Sequence, residues 1–460
     1  MFLIQAIPCR IHRFFLIDCF VNKNQIKMKR IFYGTAVLAL VCGNLFAQKT
    51  YIQAGKLIDV RNNKTLSEMT IVVEGEMIVS VAKGYQKGTD EDQIIDLKSA
   101  TVMPGLMDMH IHVEGQTGPR QYMERFTNNE ADVAFNSLVY AKTTLMAGFT
   151  TVRDMGGSGV NISLRDAIAA GKVDGPRIIT AGKSIAPTGG HADPTNGVRR
   201  DLMGDPGPEV GVINGVADAR KAVRQQVKNG SDVIKITATG GVLSVAKDGS
   251  APQFQQDELN AVIETARDFG IHVAAHAHGD EGMQRSVIGG IHSIEHGTLM
   301  SEKTMDMMIK AGTWYVPTIT AGMSVAEYAR IPGYYPAPVK AKAEAIGAQI
   351  QTTFGKAYKR GVKIAFGTDA GVFPHGENYR EFIYMTEVGM PNLEAIQTAT
   401  LRGAELLGME NKIGVLESGK FADIIAVSGD PEKDIKVMKD VVFVMKEGKV
   451  YKHVPSMGMN

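Results

Sequence analysis

Residues 102–115 read VMPGLMDMHIHVEG. A Pro-Gly pair closes one segment, an apolar run follows, and His110 and His112 stand one residue apart at its end. Side chains alternate across a strand, so an i, i+2 pair shares one face. The stretch by itself fits two structures. The histidines are either satisfied polar residues in a buried strand, or neighbouring metal ligands at that strand's C-terminal end.

The flanking pattern bears on the choice. Upstream, KTYIQAGKLIDV, MTIVVEGEMIVSVAKG and QIIDLKSATVMPG alternate apolar and polar residues and are broken by Gly and Asn. FADIIAVSGDP and VVFVMKEGKVYKH, near the other end, have the same texture. Residues 48–103 and 409–460 are therefore expected to form one small β-sandwich domain together. Between them, over residues 104–408, apolar strands alternate with helical stretches. Strands are predicted to begin near Leu106, Phe149, Arg177, Val233, His272, Ser293, Trp314 and Lys363. VADARKAVRQQVKNG and DELNAVIETARDFG read as helices that stop at Gly. Eight strand–helix units predict an α/β fold, a (β/α)8 TIM barrel. A doubly wound open sheet is the alternative, but no dinucleotide fingerprint or P-loop accompanies it.

Composition narrows the class. Hydrophobic content of 44% and charged content of 22% are those of a globular chain. The net charge is +1, and no basic stripe points to nucleic acid or an anionic membrane surface. From Met28 the chain reads MKRIFYGTAVLALVCGNLFAQ, a basic start, an apolar stretch and a small-residue end. That is the layout of a signal peptide, with residues 1–27 as an upstream extension. The apolar stretch is short for a membrane span, which needs about 20 residues. Val41 before Cys42 argues against a lipoprotein. The expectation is an exported protein, periplasmic or extracellular, with no membrane anchor in the mature form. Residues 1–47 hold six of the Lys/Arg and one acid, leaving 44 basic against 48 acidic residues. They also hold Cys9, Cys19 and Cys42, so the mature chain has no disulfide. A metal site must then use His, carboxylate or a modified side chain.

A barrel places active residues at the C-terminal ends of its strands. His110 and His112 end the first predicted strand, His276 and His278 the fifth, His296 the sixth and Asp369 the eighth. Lys235 lies within the apolar strand DVIKITATGG. Burial of an unpaired ammonium is costly and lowers a lysine's pKa. Lys235 either reaches the barrel mouth or an acid, or reacts as the neutral amine with carbon dioxide to give an anionic carbamate. Position alone leaves the two equal.

The chain resembles the amidohydrolase superfamily. The stretches that carry the resemblance are MPGLMDMHIH, AGFTTVRDMGG, TGGHAD, IKITATGGV, HAHG, IEHGT, GTDAG and KIGVLESGKFADIIAV. They run in order over nearly the whole mature chain, and within the superfamily they are most similar to the imidazolonepropionase-related branch with its Xaa-Pro dipeptidases (prolidases). The resemblance implies that His110 and His112 hold the more buried of two divalent ions, that His276 and His296 hold the second, and that Lys235, as N6-carboxylysine, bridges them. It implies that Asp369 is both ligand and proton-transfer base and that His191 touches substrate. True imidazolonepropionases lack the bridging lysine and bind one metal, so Lys235 argues against that activity.

Imidazole and carboxylate donors suit zinc, and would also accept manganese or cobalt. Two ions sharing a bridging hydroxide lower its pKa and polarise a scissile carbonyl, so no Ser or Cys nucleophile is needed. The implied function is amide or peptide hydrolysis of a small molecule, a dipeptide of Xaa-Pro or related type or an N-acyl amino acid. A lactonase or an organophosphate or carbamate ester hydrolase is the second reading, and a non-catalytic binding barrel the third. A homo-oligomer is implied by the resemblance alone.

Other polar residues read as follows. His278 meets substrate or orients a ligand. His375 lines the mouth or lies on the surface. His292 packs or caps, and His272, opening its strand, is structural. Arg153 and Asp154 pair with each other at the mouth, and Asp108 is a structural partner of the first strand. Gly240 and Gly241 let the loop after Lys235 pass close to the metals. The loops 186–215 and 239–256 shape specificity.

Overall fold

The computed structural model describes residues 48–245 and 249–455. The expected signal segment and all three cysteines lie outside the described residues. Four strands open the described chain: β1 (Lys49–Asp59), β2 (Lys64–Glu74), β3 (Met77–Lys83) and β4 (Gln93–Pro104). β1 pairs antiparallel with β2 and parallel with β4, with Ile52 opposite both Ile71 and Ile95. The β1–β4 register slips between Ala54 and Lys56. Gly55 sits at that slip, where a Cβ would lie 1.9 Å from the Lys98 carbonyl oxygen.

β4 ends at Pro104, and the barrel starts one residue later. Gly105 donates to the Asp423 carbonyl at 2.8 Å, and a Cβ there would meet Thr150 Oγ1 at 2.2 Å. The Pro-Gly pair therefore marks a close crossing between the sheet and the barrel.

The barrel strands are β5 (Leu106–Ile111), β6 (Phe149–Asp154) and β7 (Arg177–Thr180), then, after a short pair β8 (Ala186–Pro187) and β9 (Val212–Ile213), β10 (Ile234–Thr237), β11 (Val273–Ala277), β12 (Ser293–His296) and β13 (Trp314–Val316). β5–β7 and β10–β13 are two parallel ladders. A bridge from Ile185 to Ile236 joins them on one side. On the other side the segment after Lys363 bridges β13 at Tyr315–Ile364 and β5 at Ile111–Ala370. The eighth strand expected there is thus present as two bridges rather than a regular ladder. Asp369 has φ of 62°, which breaks the pleat, while the Asp369 amide still donates to the His110 carbonyl at 2.7 Å.

Helices separate the strands where the apolar spacing predicted them. Glu130–Met146 opens with a capping box from Asn129 and Asp132. Val216–Asn229 closes on Gly230 in the left-handed region, and Gln256–Asp268 follows β10. The barrel core is aliphatic and aromatic, with Phe149, Phe366 and Phe382 buried against one another. Each such side chain contributes up to about 3 kcal/mol of burial. No helix among the described residues is long and apolar enough to cross a membrane.

The chain then returns to the first sheet as β14 (Ile424–Ser428), β15 (Val441–Lys446) and β16 (Lys449–His453). The seven strands run β16-β15-β14-β4-β1-β2-β3. The sheet curls on itself, because Ile78 of β3 exchanges backbone bonds with Gly419 and Lys420, just before β14. Alternate residues of β14 serve two cores. Ile424 and Ala426 face the sheet's own cluster, and Ile425 and Val427 pack on the barrel. A strand buried on both faces reads as a continuous apolar run, as FADIIAV does. Both ends of the chain therefore build one small β domain on the barrel's flank.

Candidate metal centre

Strand ends, the loops that follow them and two helices converge on a cavity of about 300 Å³. Its floor holds His110, His112, Lys235, His276, His296 and Asp369, all six of the expected ligands, with His191 and His278 beside them. Asp369 Oδ1 lies 3.3 Å from His112 Nε2 and 3.6 Å from His110 Nε2. These three residues form a group with ligand atoms within 4.8 Å of one another. Lys235 Nζ is 3.4 Å from His110 Nε2. The His276 and His296 ring centres are 4.6 Å apart, and His296 is 4.9 Å from His110.

Outer partners decide which nitrogen each ring offers. His110 Nδ1 faces Glu295 Oε2 at 2.8 Å, and His112 Nδ1 faces the Gly156 carbonyl at 2.8 Å. Both acceptors require a protonated Nδ1, which leaves Nε2 free toward the cavity. His276 is reversed. Its Nε2 faces the Gly240 carbonyl at 3.1 Å, so Nδ1 is free. Nδ1 of His296 meets Thr318 Oγ1 at 2.7 Å and Nδ1 of His278 meets Thr298 Oγ1 at 2.8 Å.

The electrostatics favour neutral imidazoles and a reactive amine. Burial lowers His110 and His278 to about 4 and His191 to about 3, and pushes His276 and His296 well below the usual range. Burial opposes protonation of His112 too, but the Asp369 carboxylate facing it outweighs this and raises it. Burial, with Arg153 as a further cation, lowers Lys235 to about 8. Burial would raise Glu295, yet the adjacent Arg153 guanidinium and His110 hold it down at about 2.

Two observations show that the donor set fits a metal. Asp369 Oδ1 is buried and has no hydrogen-bond partner, although two imidazole nitrogens face it. Lys235 is 3% exposed, and no carboxylate among the described residues lies within ion-pair distance of its ammonium. Both are costly in a buried site unless a further group completes them.

The backbone is strained at the same place. His296, Asp369 and Thr318 all have positive φ, at 71°, 62° and 53°. Such conformations cost roughly 1–3 kcal/mol each and concentrate at functional sites.

Arg153, Asp154 and His375 lie elsewhere than expected, while Asp108, His272 and His292 hold the structural roles read for them. Arg153 does not pair with Asp154, because neighbours on a strand point to opposite faces. Arg153 turns inward to Glu295 Oε1 at 2.8 Å and to the Met109 carbonyl at 2.6 Å. Asp154 accepts instead from the Val113 amide and the Asn161 side chain. His375 does not line the cavity. It is buried, bonded to the Gly115 carbonyl at 3.0 Å and stacked on Tyr140. Apolar cover and a ready carbonyl hold it there. Asp108 is a clamp, accepting from His110 N, Thr368 and Asn378. His292 donates to the Leu406 carbonyl and stacks on His272 at 3.8 Å, away from the cavity. Glu295, Thr298 and Thr318 escaped the sequence reading. An acidic residue inside the apolar strand SIEH was the one signal that could have found Glu295.

Comparison with known proteins gives a consistent result. Residues 101–451 match the model of the Amidohydrolase family. The crystal structure of a Xaa-Pro dipeptidase with bound methionine in the active site superposes with a TM-score of 0.86 at 52% identity, over 88% of this chain and 100% of that one. That of a prolidase complexed with N-methylphosphonate-L-proline superposes at 0.81 with 31% identity, over 88% and 100%. Ochratoxinase from Aspergillus niger is 30% identical over 432 residues, 88% of this chain and 87% of its own.

Proposed function

We propose, from the premise that this chain belongs to the amidohydrolase family and is a hydrolase of C–N bonds, that it is an exported dipeptidase of Xaa-Pro or related type with two divalent metal ions. The observation that carries the reading is a pair of buried groups, Asp369 Oδ1 with no hydrogen-bond partner and the Lys235 ammonium with no carboxylate partner among the described residues, set among imidazoles whose unprotonated nitrogens face inward. His110, His112 and Asp369 would hold one ion, and His276 and His296 the other. Lys235 would bridge them once carbon dioxide has added to its neutral amine, releasing a proton and leaving an anionic carbamate. Zinc suits these donors best. Bound divalent ions supply a water of near-neutral pKa and a Lewis acid for the scissile carbonyl.

The chain's own residues do the rest. The Asp369 carboxylate accepts the proton of the attacking water and returns it to the leaving nitrogen. Glu295 fixes the His110 ring, and the Gly156 and Gly240 carbonyls fix His112 and His276. His191 and His278 line the cavity beside these residues and would touch substrate.

The test is metal analysis of the purified chain, then a screen of Xaa-Pro, Xaa-Arg and N-acyl amino acid libraries. Two equivalents of metal and hydrolysis of a dipeptide class are expected. Cleavage of lactones or phosphotriesters with every dipeptide untouched would replace the dipeptidase reading by an esterase one. Export predicts a mature N-terminus near Gln48 in the secreted or periplasmic fraction. A protein retained in the cytoplasm with Met28 intact would refute it.

A further inference from the structure

The wall of the cavity opposite the imidazoles is aliphatic. It is built by Val242 and Leu243 from the loop after β10, Val325 from the helix Ile319–Tyr328, Ile346 and Ile350 from the helix Ala337–Arg360, and Val372 from the loop after Asp369. Val242, Val325, Ile346 and Ile350 are each at most 9% exposed.

This wall is fixed by helix packing. A Cβ on Gly322 would lie 2.7 Å from Ile350 Cγ2, and one on Gly347 would lie 3.1 Å from Ala326 Cβ. The two glycines let the helices touch, and that contact carries Ile346 and Ile350 to the cavity. Val242, Val325 and Ile346 of the wall belong to one apolar cluster with Ala329, Tyr335, Val339 and Ala343.

Among the described residues, the nearest helix charge outside the floor is bound to backbone carbonyls. Among the described residues that line the cavity, the ionisable groups are those of the histidine, lysine and aspartate floor. Lys342 lies one helical turn before Ile346, but its ammonium donates to the Gly241 and Ser244 carbonyls at 2.7 and 2.8 Å. A charged substrate side chain set against the described wall residues would lose its water without gaining an ionic partner from them.

We infer that this wall is the specificity pocket for one amino-acid side chain of the substrate, and that it takes an uncharged aliphatic or thioether chain and rejects acidic and basic ones. The inference rests on the amide-hydrolase reading for its substrates, but its recognition element can be measured without catalysis. The cavity volume, about 300 Å³, lies at the small end of ligand sites and suits a dipeptide.

The experiment uses the metal-loaded full chain in two arms. In the first, binding of L-methionine, L-leucine, L-lysine and L-aspartate is measured by calorimetry. Methionine and leucine should bind at least about 10-fold tighter than lysine or aspartate. In the second, dipeptides differing at one position are compared by kcat/KM, and the apolar series should lead by about 100-fold. Ile346→Ala should shift the preference toward phenylalanine. Val242→Asp, in a loop, should cut methionine binding about 10-fold and bring lysine level with it. Equal binding of lysine and methionine to the unaltered chain would overturn the inference. Preferential methionine binding with no amide cleaved would uphold the pocket and sink the hydrolase reading instead.

Discussion

Glu295 Oε2 lies 2.8 Å from His110 Nδ1, while Oε1 of the same carboxylate lies 2.8 Å from Arg153 Nη2. One buried acid thus orients a histidine of the candidate metal centre and neutralises a guanidinium in the barrel core. Removing its charge should act on both. Glu295→Gln is expected to weaken metal retention by about 10- to 100-fold. It should also destabilise the fold by about 3–5 kcal/mol, since Arg153 loses its partner. Chemical denaturation and metal content after dialysis against a chelator check the two effects. The double variant Arg153→Met, Glu295→Gln should recover stability and leave metal retention poor.

Lys235→Ala should remove the bridging group. The variant is expected to lose at least half its metal and about 100-fold or more in rate. Added formate or acetate, which can enter the space as a carboxylate, should restore part of both. A variant that keeps full metal and full rate with no added carboxylate would refute carboxylation of Lys235.

Asp369→Asn keeps an oxygen toward His110 and His112 but can no longer take a proton. It should retain most of the metal while kcat falls by about 100- to 10,000-fold. Parallel loss of metal and rate would make Asp369 a ligand only.

Gly241 lies against the face of His191, where a Cβ would sit 2.1 Å from Cε1 of the ring. The ring is stacked on His276 at 4.5 Å. Gly241→Ala should push His191 off that stack without replacing any of the six candidate ligands. A loss of roughly 10-fold or more in kcat/KM with unchanged metal content is expected. An unaffected rate would remove His191 from the substrate contacts.

At the other end of the barrel, burial and the stacked His272 lower His292 to about 4. In the unfolded chain His292 titrates near its ordinary value of 6.5. Between these values the unfolded state binds the extra proton, so this residue's contribution is present above about 6.5 and is lost as pH falls toward 4. Loss on the order of 2 kcal/mol is expected over that interval. Unfolding curves of His292→Gln should lack this part of the acid slope, although the variant starts less stable at neutral pH.

Much of the architecture was legible in the chain. Period-2 segments at both ends and apolar strands alternating with helices implied a small β domain and a barrel. All seven regular barrel strands begin within one residue of the positions read from the pattern, as at Ile234 and Val273. Local pattern could do this because strand and helix periodicities are properties of short stretches. The eighth strand was legible as a segment but not as two bridges, since the left-handed turn at Asp369 follows from the site and not from GTDAG.

The sequence by itself determined which residues could ligate, because their types and their order at strand ends are local facts. Only the tertiary structure decided how they are held. Glu295 reaches a histidine 185 residues earlier in the chain, and Thr318 reaches back 22 residues to His296. Arg153 pairs with Glu295 rather than its neighbour Asp154 because the strand's pleat sends adjacent side chains to opposite faces. Val325, Ile346 and Ile350 of the aliphatic wall come from two helices packed through Gly322 and Gly347, far from any catalytic motif. Such contacts depend on barrel closure and on helix packing, which no window of sequence contains.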